Sequence, residues 1–264
     1  MAPPRSAPAH KGARPLNHQR PALGATAAPS ADHESTPGSV TNASGTFAQE
    51  FAAFATRFRM PANGAGNFRF SWPYGPAYFI SFDTEHDFSA GSPQIAWLEA
   101  TLAGVDRAVH PWLFVSMHHP VLSSDSDEVG DHTPGGPLSL VLTPLFAKYE
   151  VDVVFQGHQH NYERTAGVEA STGTVVSLPD ANNVYTAPAA PIYIVQGTSG
   201  AVLDYNKWIA PTNWSLVRDG SDYGFGRLTL NTTASGARAL YYTFIGSTDH
   251  AVHDSWSIVK PAAW

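Results

Sequence analysis

Histidine residues follow two apolar segments of this sequence, and imidazole side chains can bind metal ions or transfer protons. The segment WLFVSM leads directly to His118, and the segment VDVVF is followed within three residues by His158 and then by His160. If these segments are neighbouring strands of an α/β sheet, their carboxyl ends meet at the edge where such sheets bind ligands. The pattern therefore predicts that the three imidazoles converge on zinc or iron. The alternative is that they are solvated loop residues.

The overall composition narrows the classes of partner and of metal site. The 264 residues carry a net charge of −7, which argues against nucleic acid or an anionic membrane surface as a partner. We find no apolar run of the length that a transmembrane helix needs. The sequence contains no cysteine, so a metal must be held by His, Asp, Glu, Asn or Tyr.

The amino-terminal segment differs from the rest of the chain. Residues 1–30 are rich in Pro and Ala and contain four basic residues and no acid. They lack the apolar stretch of a secretory signal, so no signal peptide is visible. We interpret residues 1–30 as a disordered arm. An incorrectly assigned start of the gene would give the same pattern.

Strands and helices alternate through the middle of the chain. Ser92 and Pro93 mark the start of an amphipathic helix, and residues 138–149 predict a second helix in which Pro144 is a kink or a restart. The two apolar segments that precede the histidines fit buried strands. This alternation is typical of an α/β fold.

The end of the chain has a different pattern. The segments IYIVQG, GRLTLN, ALYYTFI and SWSIV predict strands, and NTTASG predicts a hairpin turn between two of them. We therefore expect an antiparallel meander in this part of the protein.

The histidine motifs and the segments between them resemble one known family. GHQHNYER is similar to the GHxH signature of the calcineurin-like metallophosphoesterases, in the form typical of purple acid phosphatases. VSMH fits the VxxH motif of that family. RFRMP, FISFDTEHDF, WLEATL and HDSWSIV resemble its other segments in the expected order. The resemblance covers roughly residues 31–260.

The resemblance implies a fold class and a division of the chain. The fold would be α/β, the carboxyl-terminal portion of a four-layer α/β/β/α metallophosphoesterase sandwich. After the arm at residues 1–30, residues 31–190 would form a partial calcineurin-like domain. Residues 191–264 would form the carboxyl-terminal segment of a purple acid phosphatase.

The resemblance also implies an activity and its cofactors. The family hydrolyses phosphomonoesters at a binuclear metal centre, Fe(III) paired with Zn, Mn or Fe(II), in which two close ions clamp the phosphate. Carried over residue by residue, His118 and His158 would bind the divalent ion and His160 the iron.

A third family motif, GNHE, has one candidate match. Ala31-Asp32-His33-Glu34 lies upstream of RFRMP, as the family order requires. Asp32 would then replace the family's Asn as a metal ligand, and His33 would polarise the substrate and donate a proton. The alternatives are the NHQ triplet at residues 17–19 and an exposed linker with no role.

Other polar residues near the motifs have weaker assignments. His132 lies where some family members carry a substrate-contacting histidine, with loop decoration as the alternative. His119 is expected to lie behind the ligands. Glu85, His86 and Asp87 match a family segment without ligands, so we interpret them as structural.

Two family motifs, DxG and GDxxY, are missing from the positions that the family order requires. With them are missing the bridging Asp, a second iron-binding Asp and the Tyr that colours the family. Three functions remain open: an incomplete acid phosphatase, a catalytically silent metal-binding or partner-binding remnant, and a hydrolase with a single metal. A chain without the part of the sandwich that carries these motifs would expose an edge of its sheet. A homodimer is one way to cover that edge.

The resemblance implies a secreted or vacuolar protein. Three glycosylation triplets, beginning at Asn42, Asn213 and Asn231, fit that location.

Overall fold

The computed structural model describes residues 51–64, 66–127, 129–233 and 235–262. The arm at residues 1–30 and the Asp32–His33 pair lie outside these ranges. Within them, no helix is long and apolar enough to cross a membrane.

Three helices and twelve strands are defined in the described part of the chain. In order they are α1 (Ala52–Arg57), β1 (Phe70–Tyr74), β2 (Ala77–Ser81), α2 (Pro93–Ala103), β3 (Trp112–Ser116), α3 (Pro137–Lys148), β4 (Val153–Gln156), β5 (Tyr162–Glu169), β6 (Thr174–Ser177), β7 (Val184–Thr186), β8 (Ile192–Gln196), β9 (Ser215–Asp219), β10 (Gly224–Thr232), β11 (Arg238–Gly246) and β12 (Val252–Lys260).

The larger sheet has eight strands and a parallel centre. Its order is β1-β2-β3-β4-β8-β5-β6, with β9 also paired to β5. Strands β2, β3, β4 and β8 are parallel neighbours. Successive residues of a strand point to opposite faces, so the sheet presents one apolar set to each side. On β3, Leu113 and Val115 belong to one core, and Trp112 and Phe114 belong to the other.

Helices α2 and α3 cover the first face of this sheet. Leu98, Leu142 and Phe146 are fully buried against its strands. Helix α2 begins as predicted, because Ser92 Oγ accepts the Ile95 N–H at 3.3 Å and Pro93 occupies the first turn. Helix α3 continues through Pro144 without a break.

A smaller sheet covers part of the second face. Its order is β10-β11-β12-β7, and Leu240, Phe244 and Ile258 pack from it against the larger sheet. Strands β10, β11 and β12 form the predicted meander, and the Thr233 N–H donates to Ala237 O at 2.8 Å between the first two.

The position of β8 differs from the expectation. We predicted IYIVQG as part of the meander, but β8 lies in the larger sheet, parallel to β4 and antiparallel to β5. Four of its five residues are buried, which fits a central strand that is covered on both faces.

A layer of helices, a mixed sheet and a second sheet therefore stack in that order. This arrangement has the predicted α/β class, and its layers are those expected for part of an α/β/β/α sandwich.

Candidate metal centre

The histidine motifs lie at one edge of the larger sheet, where β2, β3 and β4 end side by side. Backbone hydrogen bonds continue past the last strand residues. The Phe82 N–H donates to Ser116 O at 2.8 Å, and the Met117 N–H donates to Phe155 O at 2.9 Å. The Gly157 N–H donates to His118 O at 2.9 Å, which brings the two histidine segments into direct contact.

Three imidazoles meet at this edge. His118 Nε2 lies 3.3 Å from His158 Nδ1, and one ring nitrogen from each of His118, His119 and His158 lies within 4.8 Å of the others. Two nitrogens bound to one tetrahedral zinc ion are about 3.4 Å apart, since each lies about 2.0–2.1 Å from the metal. The spacing of His118 and His158 therefore fits a shared ion before any rearrangement.

The backbone at His158 is unusual. Its φ of 65° is in the left-handed region, which non-glycine residues rarely occupy and which is more common at functional sites. The neighbouring Gly157 does not have a positive φ, and a Cβ there would meet His118 Nδ1 at 3.5 Å, an ordinary contact.

A different glycine is required for the histidine loop to pack. A Cβ at Gly197, just after β8, would lie 2.0 Å from Gln159 O. No side chain fits at that distance, so this position must be glycine for the loop between His158 and His160 to lie against the end of β8.

His119 and Glu85 also lie at the site, although the sequence interpretation placed the first behind the ligands and gave the second a structural role. His119 Nε2 is 3.2 Å from Glu85 Oε1, and the His119 N–H donates to Thr84 Oγ1 at 3.0 Å. Thr84 and Glu85 follow β2, the strand next to β3. The ends of β2 and β3 are thus connected through a carboxylate–imidazole contact.

His160 is held by a different loop. Its Nδ1 is 2.8 Å from Val202 O, and its N–H donates to Asp204 Oδ2 at 2.7 Å. Although burial raises the pKa of Asp204, the His160 N–H and the Lys207 ammonium lower it overall, so this carboxylate is ionised. The structure does not bring the His160 ring into the compact group of the other three imidazoles.

His132 lies behind the compact group. Its ring stacks on His119 with centroids 5.4 Å apart, and its Nδ1 is 2.9 Å from Pro120 O. The side chain is buried, so it confines the His119 ring from one side.

Buried polar side chains fix the loops that carry the histidines. Gln156 Oε1 accepts the Val121 N–H at 2.6 Å, which holds the segment after His119. The Glu163 carboxylate accepts the Ser124 N–H at 2.8 Å. Asn161 Nδ2 donates to Asp125 Oδ2 at 2.7 Å, so the segment after His160 is held as well.

An ion pair secures β5 beyond the histidine loop. Arg164 Nε donates to Asp254 Oδ2 at 2.7 Å, and Tyr162 OH donates to the same oxygen at 2.8 Å. Tyr162 and Arg164 belong to the segment GHQHNYER, and Asp254 belongs to HDSWSIV. Their contacts therefore join the larger sheet to the smaller one.

Comparisons with known proteins agree with this arrangement. The calcineurin-like phosphoesterase family matches residues 40–162, and the family described as iron/zinc purple acid phosphatase-like protein C matches residues 190–255. The chain is 36% identical over 210 residues to probable inactive purple acid phosphatase 27 of Arabidopsis thaliana, covering 78% of this chain and 32% of that protein.

Other relatives have different descriptions. A nucleotide pyrophosphatase/phosphodiesterase of Hordeum vulgare is 34% identical, with 77% of this chain and 53% of that protein covered. An acid phosphatase of Aspergillus ficuum is 30% identical, with 81% of this chain and 41% of that protein covered. The chain thus spans between a third and about half of the length of these relatives.

A solved structure supports the same assignment. A purple acid phosphatase from yellow lupin (Lupinus luteus) seeds superposes with a TM-score of 0.74 and 30% identity, covering 89% of this chain and 40% of that one. Both family matches include strands that build the histidine edge or hold it in place. The chain belongs to the purple acid phosphatases of the calcineurin-like phosphoesterase family.

Proposed function

We propose that His118 and His158 hold a divalent metal ion and that the chain takes part in phosphomonoester hydrolysis. The 3.3 Å separation of their ring nitrogens supports this assignment most directly. Neutral imidazoles suit zinc and iron, and the donor set therefore fits the metals of the family.

The remaining ligands of the proposed centre come from several segments. His160 would bind the second ion, Fe(III), while the divalent ion would be Zn, Mn or Fe(II). The Val202 carbonyl would fix the orientation of the His160 ring. Asp32 would add a carboxylate, and His33 would donate a proton to the leaving group. His132 would contact the phosphate side of the substrate only if its buried ring turned away from Pro120 O. When bound, such ions polarise the phosphate and activate water.

Zinc titration tests the two ligands with which the proposal begins. His118→Ala and His158→Ala should each weaken zinc binding by roughly 100-fold or more, since even residues that only support a ligand typically contribute 10- to 100-fold. His110→Ala is the matched control because His110 lies at the opposite end of β3 and contacts Gly75 O. Equal zinc affinity in the wild type and the His118→Ala/His158→Ala double variant would refute the proposal.

Hydrolysis of para-nitrophenyl phosphate tests the catalytic part. We expect feeble turnover at acidic pH and no purple absorption band, because the acids and the Tyr of DxG and GDxxY are missing from their expected positions. Loss of one set of electrostatic contacts to the transition state typically reduces the rate by about 100-fold or more. Vigorous metal-dependent turnover by residues 1–264 would show that other ligands replace the missing ones.

A catalytically silent metal-binding protein is the second candidate. The description of the Arabidopsis relatives as probable inactive purple acid phosphatases favours it. Zinc binding that depends on His118 and His158, together with no metal-dependent turnover, would support the silent form over the enzyme.

The proposed location and organisation follow from the family. We propose a secreted or vacuolar protein with a metallophosphoesterase domain at residues 31–190 and a carboxyl-terminal segment at residues 191–264. Asn213 and Asn231 are exposed, so both are accessible to glycosylation. A homodimer is the proposed assembly. Expression in a secretory host, with removal of glycans by an endoglycosidase, tests the location, and sedimentation tests the dimer.

A further inference from the structure

We propose that His119 is a third metal ligand and that Glu85 is the carboxylate that orients it. This inference rests on the proposed function, because it extends the site that His118 and His158 begin. The metal site would then have three imidazole ligands instead of two.

The relative orientation of the three rings supports a shared ion. The ring centroids of His118 and His119 are 5.1 Å apart, those of His118 and His158 are 5.1 Å apart, and those of His119 and His158 are 4.1 Å apart. The ring planes are inclined by 75°, 82° and 44° in the same order. Rings that are inclined in this way can direct one nitrogen each toward a common point, as ligands of a tetrahedral ion do.

Glu85 supplies the contact that metal-binding histidines usually have. A metal-ligating imidazole commonly donates its other N–H to a carboxylate, which fixes the ring and raises its basicity. Glu85 Oε1 lies 3.2 Å from His119 Nε2, and the Glu85 side chain is only 9% exposed. The Thr84 hydroxyl donates to Glu85 Oε1 at 3.4 Å and accepts the His119 N–H at 3.0 Å, which ties the carboxylate to the histidine backbone.

The surroundings limit the positions that His119 can adopt. Its ring contacts the rings of both His132 and His158, at centroid distances of 5.4 Å and 4.1 Å, and those two rings are 5.6 Å apart. A ring that is confined before the metal binds loses little conformational entropy on binding. The site is thus organised for an ion in a way that two isolated histidines would not be.

A site of three imidazoles has a defined ligand preference. Three neutral ligands leave the double positive charge of the ion uncompensated, and a catalytic zinc site with three protein ligands keeps its fourth position for water or substrate. The fourth position therefore favours an anionic oxygen, which the Asp32 carboxylate of the proposed centre or inorganic phosphate would supply.

Cobalt(II) titration of the full chain, followed by visible absorption, tests the ligand set. We expect one tightly bound ion in the wild type, with weaker binding by more than about 30-fold in His119→Ala and by about 10- to 100-fold in Glu85→Gln. Inorganic phosphate should change the absorption spectrum of the wild type. His110→Ala should bind as the wild type does.

The outcomes separate the inference from the proposed function. If the wild type does not bind cobalt or zinc, both fail. If His118→Ala and His158→Ala lose binding but His119→Ala and Glu85→Gln behave like His110→Ala, the third ligand is refuted while the proposed function stands. Long-range ¹H–¹⁵N spectra of the wild type avoid any folding defect of a variant. Zinc should shift the ring-nitrogen signals of His118, His119 and His158. Shifts confined to His118 and His158 would overturn the inference.

Discussion

Replacement of Asp254 by Asn should greatly weaken the fold, because this carboxylate joins the two sheets. Arg164 Nε donates to Asp254 Oδ2 at 2.7 Å, and Arg164 Nη2 donates to Oδ1 at 3.1 Å. The two side chains are only 2% and 5% exposed. With Asn at this position, the buried Arg164 guanidinium would keep its contact with the Tyr185 hydroxyl, 2.8 Å from Nη1. It would, however, lose its counter-charge. Breaking a buried pair in this way typically lowers the free energy of unfolding by about 3–5 kcal/mol.

Urea unfolding followed by tryptophan fluorescence measures this loss. Trp256 is buried two residues beyond Asp254 and is one of seven tryptophans whose combined emission follows unfolding. With a urea dependence of about 2 kcal/mol/M, a loss of 3–5 kcal/mol moves the midpoint down by about 2 M. Asp249→Asn is the matched control, because Asp249 is 53% exposed and pairs with His253 at the surface. Solvent screens that pair, so this midpoint should move little.

A second variant isolates the cause. Arg164→Met combined with Asp254→Asn removes the uncompensated charge, while the Asn carbonyl can still accept the Tyr162 hydroxyl. The double variant should therefore regain part of the stability that Asp254→Asn loses. Equal midpoints for Asp254→Asn and Asp249→Asn, or a double variant that is less stable than Asp254→Asn alone, would refute the reasoning.

Three further predictions concern pH, a second buried pair and the metal. Burial raises the pKa of Asp125 from 3.8 to about 6, so the folded protein binds more protons than the unfolded chain in that window and the free energy of unfolding falls as pH rises through it. Asp125→Asn should remove about 1–3 kcal/mol of this fall, as urea unfolding at pH 4 and pH 7 would show. Lys260 pairs with Asp152 and donates to the Pro111 carbonyl at 3.1 Å. Lys260→Met should reduce stability by about 2 kcal/mol in the same assay, since Arg107 still neutralises Asp152. Zinc at one hundred times its Kd should stabilise the wild type by about 2.7 kcal/mol, and a chelator should reverse the accompanying rise in Tm.

The meeting of His118 and His158 could be predicted from the sequence. Each follows an apolar strand, and parallel neighbours in a sheet end at the same edge. The same reasoning applies to Glu85, because DTE follows the apolar segment FISF. We interpreted Glu85 as structural because its family segment contains no ligands, and its position at a strand end brings its carboxylate within 3.2 Å of His119 Nε2.

The direction of the His160 ring could not be predicted. It depends on the Val202 carbonyl and the Asp204 carboxylate, which lie more than forty residues away in a loop without regular hydrophobic spacing. Sequence patterns report on regular elements, whereas this contact is made by irregular backbone.

The strands were predicted more reliably than their partners. GRLTLN alternates apolar and polar residues, as a strand with one exposed face should, and it lies in the meander. IYIVQG has a continuous apolar run, which indicates a strand that is covered on both faces. The apolar run of β8 therefore indicated a central strand of the larger sheet. We placed it in the meander because it lies close to the meander in the sequence.

The backbone of His158 gives an independent argument that its imidazole has a role. A non-glycine residue in the left-handed region costs about 1 kcal/mol or more relative to a relaxed conformation. Glycine would adopt a φ of 65° without that cost, and the residue before His158 is a glycine that does not occupy the left-handed region. Other non-glycine residues of the described chain, among them Glu150 and His250, have a similar φ, so the strain alone does not identify a site. At His158 it coincides with a second imidazole 3.3 Å away, and this coincidence supports the proposed metal-binding role.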